Sequence, residues 1–165
     1  MMKEMDVTNE LIRHLRGSHQ GANTQSFDLS DFAFAFGSPL DALMYAKMCW
    51  PNFVEFSGMI FHSDVFNSDD DRERAERMLT QVNSRTEVEK SFNQFEVPSS
   101  FFGKHAGDSS DTEDLYLAEL IREMWQARVT MLFPKRNVKV ICTAAEGEEP
   151  SLSVFQGEAD ALLAE

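Results

Sequence analysis

Apolar residues recur at three- and four-residue steps through positions 111–133. Leu117, Leu120, Ile121, Met124, Trp125, Val129 and Leu132 trace one broad stripe, the pattern of an amphipathic helix. Ser110-Asp111-Thr112-Glu113 ahead of it has the S-x-x-E form of a capping box, in which the serine oxygen accepts from the backbone three residues on and the glutamate reaches back. Asp111, Glu113 and Asp114 also place negative charge at the positive end of the helix dipole. Pro134 stops the helix, because it has no N–H to donate and restricts Phe133 before it. The periodicity then changes. Val138-Lys139-Val140-Ile141-Cys142-Thr143 is a β-branched run, 146–150 is a polar turn, and Ser151-Leu152-Ser153-Val154-Phe155 alternates with Leu152 and Val154 on one face. A helix leading into a β-hairpin is predicted.

The rest of the chain is patterned less sharply. Residues 7–15 predict a short helix, broken by the glycine- and polar-rich stretch 16–23. Residues 26–36 fit two periods: Phe32, Phe34 and Phe36 alternate like a strand, while Leu29, Phe32 and Phe36 share a helical face. The preferred reading is a short helical or irregular segment that drops aromatic rings into the core. Ser38 suits an N-cap and Pro39 the first helical position, so a helix carrying Leu40, Leu43, Met44 and Met48 is predicted, ending at Trp50-Pro51. Residues 53–56 and 59–62 read as one strand with a glycine bulge or as a tight hairpin across Ser57-Gly58. After Ser68, Ala75, Met78, Leu79 and Val82 lie on one face of a helix. Thr86-Glu87-Val88-Glu89 resembles a second capping box, with Val88, Phe92 and Phe95 behind it. Pro98, Ser99, Ser100, Gly103 and Gly107 mark 97–110 as a loop.

These elements predict an α+β fold, with about four helices packed on one face of a small, mainly antiparallel β-sheet built from 53–62, 138–143 and 151–156. The length of 165 residues fits a single domain, 1–165. Its N-terminus (1–25), loop (97–110) and C-terminal tail (157–165) are expected to be mobile.

Charge narrows the functional classes. A formal net charge of −13 argues against nucleic acid, whose phosphates are bound by Lys and Arg, and against an anionic membrane surface. A basic protein partner is compatible with it. No apolar stretch of a signal peptide follows Met1-Met2-Lys3-Glu4-Met5-Asp6, and no window approaches a membrane span. The expectation is a cytoplasmic protein. Cys49 and Cys142 are too few and too far apart for a disulfide framework, and each sits in an apolar run that suits a buried thiol.

Catalytic and metal signatures are weak. Asn67-x-Asp69-x-Asp71 mimics the start of a calcium loop, but Arg72 stands where glycine is needed and Met78 where a bidentate glutamate belongs. None of His14, His19, His62 and His105 has zinc-ligand spacing. Phosphate-loop motifs are missing, and Gly103-Lys104-His105-Ala106-Gly107 is surrounded by acids. No metal or cofactor is expected. His62 beside Asp64 could orient a general base, with Cys142 on another strand as its nucleophile. Trp50, fixed before Pro51, could contribute to binding.

The leading expectation is a non-catalytic acidic protein-interaction module that binds a basic protein. Glu146, Glu148 and Glu149 in the hairpin turn, with Glu158 and Asp160 after it, would supply the docking charge. An immunity-type neutraliser of a cationic nuclease is one concrete version, by analogy of composition. The alternatives are a small hydrolase or transferase using His62, Asp64 and Cys142, and a small-ligand binder with a pocket lined by Phe and Trp.

Overall fold

The structure is a computed structural model, and it describes residues 4–19, 24–103, 109–145 and 147–157. Among the described residues there are seven helices and two small antiparallel sheets of two and three strands, an α+β fold. The chain divides into two compact units, Met1–Lys47 and Met48–Glu165.

The first unit is helical. α1 (Glu4–Ser18) runs further at both ends than the expected 7–15. Its last turn reaches α2 (Leu29–Phe36): Arg16 Nη2 donates to Phe27 O at 2.9 Å, and the His19 ring lies 3.9 Å from that of Phe36. Asp28 and Asp31 cap α2 reciprocally, which decides the ambiguous segment for helix. The expected burial of its rings holds only for Phe32, since Phe34 is 94% exposed. Helical geometry explains this, because a residue two positions on lies some 200° around the axis and faces the opposite side. α3 (Pro39–Cys49) starts as predicted, with Ser38 Oγ accepting from Leu40 N and Asp41 N.

The second unit holds both sheets. β1 (Phe53–Phe56) and β2 (Met59–His62) form a hairpin, not a bulged strand. Its two-residue turn, Ser57-Gly58, has φ of +50° and +77°, the backbone that a tight twisted hairpin requires. α4 (Asp69–Val82) begins in a capping box of Ser68 with Asp71 and ends on Asn83 in the left-handed region. α5 (Arg85–Phe92) is capped by Ser84, whose Oγ accepts from Glu87 N, so the second cap lies two residues earlier than expected. Thr86 instead donates its hydroxyl to Gln156 O at 2.9 Å. β3 (Gln94–Glu96) and α6 (Val97–Phe102) follow, and α6 occupies the start of the segment read as a loop. The rest of that segment, 104–108, lies outside the described residues, as do the first three residues, 20–23 and the tail beyond Gly157.

α7 (Asp111–Leu132) matches its prediction, capping box included. It leads to β4 (Val138–Thr143) and β5 (Ser151–Gln156), which pair antiparallel with Val140 opposite Val154. The sheet order is β3-β5-β4. Ala118, Ile121, Trp125 and Val129 of α7 pack on Val138, Val140, Leu152 and Val154. Gln126 reinforces the contact by receiving Val140 N and donating to Val138 O, which occupies backbone groups of β4. A second cluster, Met59, Phe61, Phe66, Ala75, Val88 and Phe92, joins α4 and α5 to the hairpin. β2 is buried along its whole length, because its alternate residues serve the two clusters.

The single expected sheet is therefore two sheets, and the reason is polar. Glu89 and Asn93 insert their side chains between β2 and β5. Asn93 Nδ2 donates to Ile60 O at 2.8 Å and Val154 O at 2.9 Å, while its Oδ1 accepts from His62 N at 2.9 Å. Glu89 Oε1 accepts from Ile60 N at 2.7 Å and Oε2 from Gln156 N at 2.8 Å. Both side chains are fully buried. They satisfy backbone groups that strand pairing would otherwise have to satisfy.

Candidate functional site

The acidic turn expected to dock a partner is half of a cleft. The other half is the first turn of α7. Asp111, Asp114 and Leu115 face Ala144, Ala145, Gly147, Glu148, Glu149 and Pro150 across an open hollow of about 380 Å³. Each wall is fixed by short-range structure. On the helix side, Ser110 accepts from Glu113 N, and Glu113 Oε2 accepts from Ser110 N at 2.9 Å. Ser109 Oγ donates to Asp114 Oδ1, which holds that carboxylate at the rim. On the hairpin side, Gly147 has φ of +78°, open to glycine without strain, and Glu148 N donates to Ala145 O at 3.1 Å.

The carboxylates divide by role. Glu149 accepts from Ser99 Oγ at 2.8 Å and from Ser99 N at 3.3 Å, and Val97 N donates to Pro150 O at 2.9 Å, so Glu149 ties the turn to α6. Asp111 and Glu148 make no side-chain hydrogen bond with any other described residue, and both are exposed. Glu146 lies outside the described residues, as do Glu158 and Asp160. The cleft thus collects negative charge around the apolar surface of Leu115 and two alanines. Such a lining can hold a cation by its head and its aliphatic stem together.

The residues considered for catalysis lie elsewhere in this unit. His62 is buried among the rings of Phe53, Phe95 and Trp125, at centroid distances of 5.4, 5.0 and 5.0 Å. Its Nδ1 accepts from the backbone N of Asp64 at 3.2 Å, so the peptide group orients the ring. The Asp64 carboxylate accepts instead from Ser63 Oγ. His62 Nε2 is buried without a hydrogen-bond partner, which leaves no thiol donating to it. Burial pushes His62 below its ordinary pKa, and Asp64 opposes this only in part. Cys142 is half-buried on β4, and its pKa is pushed up to about 11, first by burial and then by Glu119. A thiol so shifted is protonated at neutral pH, the opposite of an activated nucleophile.

Trp50 is 42% exposed, with the Arg128 guanidinium over its ring at 5.6 Å. The same guanidinium donates to Pro51 O and Asn52 Oδ1, so it buttresses the chain leaving α3. Phe53, Phe95 and Phe101 each meet the Trp125 ring edge to face as core, Phe95 and Phe101 stack parallel on one another, and Trp125 Nε1 donates to Met48 O at 2.9 Å. The acids that mimic a calcium loop are spent on α4: Asp71 Oδ2 accepts from Asn67 N, Ser68 N and Ser68 Oγ, and Asp69 pairs with Arg72. Sequence reasoning missed Asp111 and Asp114 as cleft residues, because the helix dipole accounted for them locally. Only the antiparallel return of β4 and β5 brings the turn beside them.

No family model, curated protein or solved structure matches the chain. Among the described residues, no helix is long and apolar enough to cross a membrane, and no group of His, Cys, Asp and Glu side chains could hold a metal ion.

Proposed function

We propose that this protein is a non-catalytic, cytoplasmic interaction module whose acidic cleft receives a basic segment of a protein partner. One observation carries the reading: Asp111, Asp114, Glu148 and Glu149, distant in sequence, line one open hollow with Leu115 at its edge. A lysine or arginine could lay its stem along the leucine and its charge among the carboxylates. The rest of the acidic surface would steer a basic partner toward the hollow, raising the rate of encounter more than the affinity. An immunity-type neutraliser of a cationic nuclease is one partner relationship of this kind. Nucleic acid is not the proposed ligand, because the same carboxylates would repel phosphate.

The test is anisotropy titration of the full chain with fluorescent Arg- and Lys-rich peptides. Binding should weaken as salt rises and fall several-fold in the double variant Asp111→Asn, Glu148→Gln. Binding that ignores both the salt and the double variant, or no binding at low ionic strength, would refute the cleft as a docking site.

A further inference from the structure

A neutral imidazole has one lone-pair nitrogen and one N–H, and the contacts of His62 fix which is which. Asp64 N–H donates to Nδ1 at 3.2 Å, so Nδ1 carries the lone pair and the proton sits on Nε2. That Nε2–H is buried and has no acceptor among the described residues. The ring is 3% exposed, enclosed by Phe53 of β1, Phe95 of β3 and Trp125 of α7. Its bond to Asp64 closes the turn that follows β2. In the same turn Ser63 N donates to Asn52 O at 3.0 Å, Val65 N to His62 O at 3.2 Å and Asn67 Nδ2 to Asp64 O at 2.9 Å. Beyond it Phe66 is anchored in the second cluster, stacked on Phe61 at 4.0 Å, so α4 has its own hold on the fold.

Protonation inverts the polar contact of this ring. A proton taken from solvent occupies the Nδ1 lone pair, and the new N–H then points at the Asp64 N–H, donor against donor. The imidazolium has two N–H groups and an acceptor for neither, inside a box of aromatic rings where an unpaired charge is costly. Of the charged groups around it, Asp64 attracts the cation, and that residue is exposed on the turn itself. The others are turned elsewhere. Arg128 of α7 donates to Pro51 O and Asn52 Oδ1, Glu55 of β1 pairs with Arg136, Glu96 of β3 is exposed, and Glu89 of α5 accepts from Ile60 N and Gln156 N. Cys49 and Cys142 border the same core cluster as thiols whose pKa burial raises, so they stay neutral in acid. Relief therefore comes from opening the turn, which brings the Asp64 carboxylate and water to the ring. We propose that His62 is an acid-sensitive latch: its neutral ring holds the turn 63–65 closed against the core, and protonation releases that turn while α4 and the sheets stay folded. Burial pushes the imidazole below its ordinary 6.5, so the latch is closed at neutral pH and opens only in acid.

Nuclear magnetic resonance of the nitrogen-15-labelled full chain between pH 7.5 and pH 4.5 tests this. At pH 7.5 the imidazole shifts should show the Nε2–H tautomer, and the Asp64 amide should be protected from hydrogen exchange. As the ring titrates, protection at Asp64, corrected for the intrinsic exchange rate, should fall by about tenfold or more while that of Ile121 and Val154 is retained. His62→Asn places an amide oxygen near the position of Nδ1 with no proton to gain, so protection at Asp64 should no longer follow pH. If that variant does not fold, the wild-type titration decides alone. An Nδ1–H tautomer, a ring that titrates while Asp64 keeps its protection, or a ring that takes its proton only as the whole chain unfolds would overturn the proposal. So would a folded His62→Asn variant in which Asp64 still opens in acid.

Discussion

Glu89 and Asn93 stand one helical turn apart at the end of α5 and join the hairpin to the three-stranded sheet in place of a backbone ladder. The Glu89 oxygens also accept from Gln156 Nε2, so every hydrogen bond to them is donated by the neighbour. Burial pushes this carboxyl above its ordinary pKa, and the donated bonds from Gln156 and Ile60 hold it back.

That arrangement makes a near-isosteric change costly. Glu89→Gln puts an NH2 where Ile60 N–H or Gln156 N–H now donates, leaving two donors face to face in a site without water access. A loss of roughly 2–4 kcal/mol is expected, in the range for breaking one side of a buried polar network. Urea denaturation measures it. A loss under about 1 kcal/mol would mean that the seam relaxes and carries little of the stability.

The buried seam shows where local sequence reading stops. Ser110-x-x-Glu113 and the stripe ending at Leu132 speak for α7 within one segment, and the alternation at Leu152 and Val154 does the same for β5. Glu89 reads in sequence as the glutamate of a capping box begun at Thr86, and nothing in its neighbourhood marks Asn93, which closes that short helix after Phe92. Their partners, Ile60 and Val154, lie about 30 residues before and about 60 after. Such pairings follow from tertiary packing, which outranks local pattern. The cleft was half legible for the same reason: its turn acids stand out in sequence, whereas Asp111 and Asp114 acquire a site only when the hairpin returns.

His62 gives the fold a pH dependence whose sign is set. Its folded pKa lies below the ordinary 6.5, so the unfolded chain binds the proton more readily. The stability contributed by the neutral ring is complete above pH 6.5 and is lost as pH falls through the folded value. Glu89, with its raised pKa, has the opposite slope: its ionisation costs stability as pH rises through its folded value. The difference between wild type and His62→Gln isolates the histidine. Urea midpoints between pH 7.5 and pH 5 should fall more steeply in the wild type. Equal slopes would assign the pH dependence to other groups.

The thiols test whether Cys142 can act as a nucleophile. Burial raises Cys49, and with Cys142 near 11 only about one thiol in ten thousand is ionised at neutral pH. Iodoacetamide should label both slowly in the native protein and quickly in denaturant. Fast native labelling of Cys142 that is abolished by His62→Ala would reinstate a cysteine–histidine couple.

The structural tie of the acidic turn and its proposed docking role can be tested separately, because Glu148 and Glu149 are neighbours with different contacts. Glu149 is bonded to the hydroxyl and backbone of Ser99, and removing its charge weakens the tie between the turn and α6. Glu149→Gln should therefore cost about 0.5–1.5 kcal/mol of stability, as an exposed charge-assisted bond does. Glu148 is exposed and makes no such tie, so Glu148→Gln should leave the denaturation midpoint nearly unchanged. It should even relieve some repulsion from the neighbouring carboxylates, a gain that salt would mask. If the cleft docks a cation, the ranking reverses for binding: Glu148→Gln should slow association with a basic peptide and reduce its salt dependence, because that carboxylate is open to the ligand. Stopped-flow association across a range of salt, set beside urea melts of both variants, reads the two rankings independently. Loss of stability without loss of on-rate in both variants would leave the turn a structural feature and remove it from the docking surface.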